Sequence, residues 1–227
     1  MHAVLPLEGG VARFWRFELE MTFSETTGTG LAGDQAPEAG IGALLASWRT
    51  RDILIAAVIG VVFGVIFFAW DALYAVIGFL PAPVPDATYG MWLVPAVLAP
   101  LIIRKPGAAI FAEMVAASLS ALLGSQWGPD TLLSGFIQGA AAELVFLAFR
   151  YRRWSIDVLI LAAVASALGA WAHDWWLYYA DASIVLQVVR LALYAISAIV
   201  FVAYGSMVLE RALRRAGVLE RFGGAAA

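Results

Sequence analysis

ILIAAVIGVVFGVIFFAWDALYAVIGF, from Ile53 to Phe79, carries a single acid, Asp71, and no base. The run is longer than the roughly 20 apolar residues that cross about 30 Å of hydrocarbon. A helix apolar on every face belongs in the core of a large protein or in a membrane. Lipid is the solvent this segment is built for. The rest of the composition agrees. Hydrophobic residues make up 63% and charged residues 14%, where soluble domains carry roughly 25% charged residues, and the mean hydropathy is +0.85.

Working outward, the loop Leu80 to Thr88 holds Pro81, Pro83 and Pro85, which forbid a continuing helix. A second span, about Tyr89 to Ile103, contains Pro95 and Pro100 and is expected to be kinked or partly unwound. Arg104-Lys105-Pro106-Gly107 reads as a tight turn with Pro106 at the first position of the next helix. Further spans follow at about Pro106 to Gly124, Thr131 to Phe149, Ile156 to Tyr179 and Ile184 to Leu209. The expected fold is therefore all-α, a polytopic membrane bundle of about six transmembrane helices over residues 48–210. Residues 1–47 are acidic and rich in Gly, Thr and Ala, lack a signal-peptide pattern, and read as a disordered cytoplasmic tail. Met21 is a second candidate start, and residues 211–227 read as a cytoplasmic C-terminal tail.

Orientation follows from Lys and Arg. Arg49, Arg51, Arg104, Lys105, Arg150, Arg152, Arg153, Arg211, Arg214, Arg215 and Arg221 all fall on one side. The opposite loops hold Asp86, Asp130 and Asp181 and no base, which makes that side extracytoplasmic. Both termini are then cytoplasmic, in a multi-pass protein of the cell membrane.

Ionisable groups inside spans cost at least about 2.5–3.5 kcal/mol when charged, so each needs a partner or a role. Asp71, Glu113, Glu143, His173, Asp174 and Arg190 are such groups. At 1.5 Å per residue, Glu113 and Glu143 lie roughly 16 and 18 Å from the outer end of their spans, and Gln138, His173 and Arg190 roughly 9–11 Å. That pattern suggests an outward-opening polar site with two carboxylates at its floor. Six of nine tryptophans (Trp70, Trp92, Trp127, Trp171, Trp175 and Trp176) lie at the outer level with Tyr74, Tyr89, Tyr178 and Tyr179. They form an interfacial belt or a cage for a cation. Glu113 paired with Arg190, and His173 with Asp174, are the structural alternatives; Glu143, about 140° around the helix from Gln138, cannot share one cavity squarely with it. The row Ala56-x-x-x-Gly60-x-x-x-Gly64 allows close helix approach, either by a partner protein or within the bundle.

Two stretches go beyond generic chemistry. Arg104-Lys105-Pro106-Gly107-Ala108-Ala109 with Glu113, then Gly124-Ser125-Gln126-Trp127-Gly128, resemble the YkoE family, as does Gln138-Gly139-Ala140-Ala141-Ala142-Glu143-Leu144-Val145-Phe146 with Arg150 to Trp154. Members of that family are membrane-embedded S components, the substrate-binding subunits of energy-coupling factor (ECF) vitamin transporters, associated with thiamine or its hydroxymethylpyrimidine precursor. The resemblance covers roughly Trp48 to Leu209. It implies a six-helix bundle that takes thiamine or hydroxymethylpyrimidine from outside. It also implies docking through Ala56, Gly60 and Gly64 on a transmembrane coupling subunit driven by two cytosolic ATPases. Glu113 would meet the pyrimidine, with Glu143, Gln138, Trp127, Trp92, Trp70, His173, Asp174, Trp171 and Arg190 as further binding candidates.

No catalytic residue, metal site, cofactor or nucleic-acid partner is expected. The chain has no cysteine and one lysine, Lys105, followed by Pro106, so it cannot form the G-x-x-x-x-G-K-[ST] phosphate loop. The rivals are an S component for another flat or cationic molecule and an intramembrane serine protease built on Ser134 and His173.

Overall fold

The computed structural model describes residues 48–81 and 83–221; the expected tail of residues 1–47 lies outside them, as does the end of the chain beyond residue 221. In chain order the elements are α1 (Thr50–Ile77), a 3₁₀ segment (Val84–Leu93) leading into α2 (Pro95–Ile103), α3 (Ala108–Leu122), α4 (Asp130–Ala148) and α5 (Ile156–Tyr178). The last long rod joins α6 (Ile184–Ser197), a π-helical stretch (Ala198–Tyr204) and α7 (Gly205–Arg215), and α8 (Val218–Arg221) is a final turn. Five segments are long and apolar enough to cross a membrane: Thr50–Ile77, Val84–Ile103, Asp130–Ala148, Ile156–Tyr178 and Ile184–Arg215. The shorter apolar helix α3 completes the six. The protein is an all-α polytopic bundle.

The proline-bearing second span is its central post. Pro95 and Pro100 each remove an amide donor, and the chain enters as a tightly wound 3₁₀ segment before widening into α2. Every residue of α2 is buried, and α1, α3, α4, α5 and α7 all pack against it. The outer helices turn apolar residues the other way: Val58 and Val65 on α1, Leu144 on α4 and Val188 on α6 are all exposed. The helix interrupted by prolines thus sits where neighbours hold it, and the regular helices meet lipid.

The start of α3 differs from the expectation. Pro106 stays in the turn, and α3 begins after Gly107, whose φ of 85° favours glycine. The backbone groups of this turn are taken up elsewhere: Trp48 Nε1 donates to the Pro106 carbonyl at 2.9 Å, and the Gly107 amide donates to Glu143 at 2.7 Å. The final helix also runs past the expected Leu209 to Arg215, with Arg214 paired to Glu210 one turn back. Bases in a last turn complement the helix dipole.

The small-residue row on α1 is occupied inside the bundle. Ala56 is fully buried. A Cβ on Gly60 would lie 2.6 Å from the Val115 Cβ and 2.9 Å from the Ala112 carbonyl, and one on Gly64 2.7 Å from the Leu119 Cβ. The missing side chains let α1 and α3 touch backbone to side chain, so Ala56, Gly60 and Gly64 are not available to a partner in this conformation.

Gly60→Leu should therefore lower the stability of the purified chain by about 2 kcal/mol or more, read by tryptophan fluorescence during thermal unfolding in detergent. Val58→Leu, on the exposed side of the same helix, should stay within about 0.5 kcal/mol of the parent. Equal effects of the two would break the assignment of faces.

Candidate functional site

Helical spacing turns polar residues from four segments toward one volume. Asp130, Ser134 and Gln138 recur every four residues on α4, with Thr131 and Gly135 beside them; Phe67, Asp71 and Tyr74 follow steps of four and three on α1, and Asp174 and Tyr178 lie four apart on α5. Ala117 and Ser120 of α3, Tyr89 and Trp92 of the 3₁₀ segment, Trp127 and Tyr179 close the walls. The cavity holds about 600 Å³, its open mouth included. It lies at the end of the bundle whose connecting loops carry no base.

Three carboxylates line it, and each is held by donors. Asp71 accepts from Trp92 Nε1 at 3.0 Å and from Ser125 Oγ at 2.5 Å. Asp130 accepts from the Tyr178 hydroxyl at 2.5 Å and lies 3.1 Å from His173 Nε2. Asp174 accepts from the Tyr194 hydroxyl at 2.7 Å and lies 2.9 Å from His173 Nδ1. Gln138 donates to Ser134 Oγ at 2.6 Å and to the Tyr89 hydroxyl at 3.3 Å. The rings form a connected wall: Tyr74 and Tyr89 lie 5.0 and 5.3 Å from Trp92, and Trp127 lies 5.4 Å from Tyr178, each pair near edge-to-face. Such packing leaves ring faces for a ligand, and the negative faces of aromatic rings attract cations.

The base nearest this layer is already engaged. Arg190 Nε sits 3.0 Å from Asp86 Oδ2, and its guanidinium lies 3.2 Å above the Tyr179 ring. Asp86 is fully buried and also accepts from Tyr74 at 3.4 Å. Arg190 therefore cancels a fourth carboxylate behind the wall and leaves those of the cavity uncancelled.

Of the residues expected at the site, Trp92, Trp127, Gln138 and Asp174 line the cavity. His173 stands behind two of the lining acids, and Arg190 behind Tyr179, paired with Asp86 and not with Glu113. Trp171 donates to the Gln187 carbonyl at 3.0 Å and packs on Trp175, and Trp70 is absent from the lining. Glu113 is fully buried one helical turn from Ala117, beside Gly135 and Gly139, and facing the backbone of Ala96. Its two oxygens are among the buried polar atoms without a hydrogen-bond partner.

Glu143 has another task altogether. It accepts from the Gly107 and Ala109 amides at 2.7 and 2.9 Å and from the Tyr151 hydroxyl at 2.7 Å. The carboxylate caps the first turn of α3, whose free amides and dipole favour an anion. Burial, with Glu143 alongside, holds the Tyr151 phenol well above its ordinary pKa, which keeps it a donor.

Asp71, Asp130, Tyr74, Tyr89, Tyr178 and Tyr179 are lining residues that the sequence reading left outside its binding set. The four-residue spacing of Asp130, Ser134 and Gln138 was the available signal. Ser134 and His173 do not make a catalytic dyad: the serine is bonded to Gln138, and both imidazole nitrogens face carboxylates. Among the described residues no group of three or more His, Cys, Asp and Glu is placed to hold a metal ion.

Known proteins bear on this arrangement. Residues 51–169 match the family described as the permease component of an ABC-type cobalt transport system. YkoE of Bacillus subtilis (strain 168), named as an HMP/thiamine permease protein, is 37% identical over 129 residues, which are 56% of this chain. The chain spans 65% of the length of that relative. A solved structure of an S component of an ECF transporter superposes with a TM-score of 0.75 at 32% identity, over 78% of this chain and 91% of its own.

Glu143→Ala should orphan two backbone amides and a hydroxyl and cost about 2–4 kcal/mol, seen as a lower unfolding midpoint in detergent. Trp171→Phe removes one hydrogen bond outside the cavity while keeping most of the packed ring, and should cost less than half as much. Reversal of that order would remove Glu143 from its capping role.

Proposed function

Because the chain belongs to the ABC-type cobalt transport permease family and is an S component of the ECF type, we propose that it captures thiamine or hydroxymethylpyrimidine from outside the cell. ATP-driven import would then be carried out by partner subunits. The observation that supports this reading is a cavity walled by Tyr74, Trp92, Trp127 and Tyr178 and bearing three carboxylates, with the neighbouring Arg190 neutralised by Asp86.

The chemistry is complementary. A thiazolium cation gains from ring faces and from the carboxylates Asp71, Asp130 and Asp174, which Arg190 does not reach. An aminopyrimidine offers an amine donor and ring-nitrogen acceptors, which suit a carboxylate and the Gln138 amide. In this reading the contacts come from the lining residues, while Glu113 acts from beneath the floor. A metal cargo finds little here, since the acids are spread around the wall and carry their own donors.

Energy has to be supplied by other subunits, because the only lysine is followed by proline and no phosphate loop exists. A transmembrane coupling subunit and two cytosolic ATPases are the partners this reading requires. With the Ala56, Gly60 and Gly64 row filled by α3, the exposed face of α1 bearing Leu54, Val58, Val61 and Val65 is the surface we assign to the coupling subunit. In this reading both termini lie in the cytoplasm, which the distribution of bases supports.

Calorimetric titration of the purified chain should show submicromolar binding of thiamine or hydroxymethylpyrimidine. Trp127→Ala should weaken thiamine at least tenfold, about 1.4 kcal/mol, and the uncharged precursor less. Equal losses would remove the cation from the argument, and absence of binding by both would overturn the substrate assignment. In this cysteine-free chain, Asp181→Cys should react with an impermeant maleimide in intact cells and Arg152→Cys should not. The opposite pattern would invert the topology.

A further inference from the structure

The chain of groups from Tyr178 to Tyr194 has an unusual count of protons. Each of Asp130 and Asp174 accepts one phenol hydroxyl on one oxygen, and each presents its other oxygen to a nitrogen of the same imidazole, at 3.1 and 2.9 Å. A neutral histidine has one N–H and one lone pair. With both carboxylates ionised, a neutral ring would set a lone pair against a carboxylate oxygen at one of its ends. The arrangement is satisfied when one further proton sits between the acids, and the ring is the group that reaches both.

The surroundings of His173 add no competing base. The imidazole itself meets Asp174 and Tyr178 of its own helix and Asp130 of α4; the other packed elements bring Tyr194 to Asp174, the Arg190 that is bound to Asp86, and Tyr89 stacked on Tyr194. α2, the remaining neighbour of α5, carries no titratable side chain. Asp130, Asp174 and Tyr178 line the cavity, while the imidazole is buried behind them. A ligand therefore meets the carboxylates directly and the imidazole only through them.

We propose that Asp130, His173 and Asp174 form a charge sensor for the ligand, in which an imidazolium clamps the two carboxylates and a bound cation takes over its charge and expels one proton to the outer solution. The inference rests on the cavity being the ligand site and deepens that reading: it makes ligand charge, and not ring shape alone, a determinant of affinity. Two positive charges against one acidic pair disfavour each other, and proton loss relieves the repulsion. Because binding releases a proton, affinity for a permanent cation rises with pH, by at most about tenfold per unit. Affinity for an uncharged ligand does not. His173 is a positioning residue in this scheme, since it touches the acids and not the ligand.

The test is nitrogen NMR of the full chain labelled with 15N-histidine, with His173→Gln separating its signals from those of His2. The ligand-free spectrum at neutral pH should show both His173 nitrogens protonated. Saturating thiamine should convert the ring to a neutral tautomer, and hydroxymethylpyrimidine should leave it unchanged. Calorimetry of the parent chain in buffers of different ionisation enthalpy should show up to one proton released with thiamine and none with the precursor. A neutral ring in the ligand-free chain, or thiamine bound with no change at His173, would overturn the sensor and leave the substrate assignment standing. Failure of thiamine to bind would overturn the substrate assignment and the proton release with it. Should His173→Gln fail to fold, Asp130→Asn serves instead and should abolish the difference in proton release between the two ligands.

Discussion

A carboxylate surrounded by hydrocarbon is tolerable only where donors converge on it, and among the described residues this bundle buries seven acids, with Asp130 half-buried beside them. Most are met by groups distant in sequence. Asp71 of α1 is held by Ser125 and Trp92, Asp86 by Arg190 across 104 positions, Glu143 of α4 by the first turn of α3, and Asp130 and Asp174 by one imidazole. Lipid gives helices little hydrophobic reason to associate, because the tails are as apolar as the side chains. Polar ties of this kind, with the close contact of α1 and α3 at Gly60 and Gly64, therefore fix which helix stands beside which. Glu113 is the exception, a buried acid whose oxygens find no such donor.

The same demand for partners separates structural from functional acids. Glu143 is saturated by three donors and looks away from the cavity; Asp86 is cancelled by a guanidinium. Asp71, Asp130 and Asp174 are partly satisfied and keep a face toward the cavity. A negative site thus arises without a surplus of unpaired charge, because each acid retains donors that support it when no ligand is present. The aromatic wall shares in this: the indole of Trp92 and the hydroxyl of Tyr178 hold acids, while the rings shape the space.

Span placement was legible in the sequence because it depends on depth alone. Apolar length, proline position and the sidedness of bases all report where a residue lies along the membrane normal, and the kinked second span followed from Pro95 and Pro100. Rotation about each helix axis was not legible, and the site depends on it. Glu143 lies deep, as counted, yet its helix turns it to the start of α3. Glu113 is buried outside the cavity lining, whereas Asp71, left out of the binding candidates, lines it. The row Ala56, Gly60 and Gly64 signalled a close contact, which the resemblance assigned to a coupling subunit and which is made inside the bundle here, against α3.

The π-helical stretch Ala198–Tyr204 has a consequence for how this chain varies over time. Arg190, Tyr194, Ala198, Val202, Ser206 and Glu210 recur at four-residue intervals and are all buried along the last rod. In an undisturbed α-helix each such step drifts by about 40°, so the stripe would wind off the interior within a few turns. The wider turns of the π stretch absorb the drift. In evolutionary terms this is a reading-frame device: one residue removed there would re-phase everything after it by about 100°, turning Ser206 and Glu210 outward while Arg190 and Tyr194 stayed put. Single-residue gaps between descendants of this chain should therefore be purged from the last rod and accumulate in the loops.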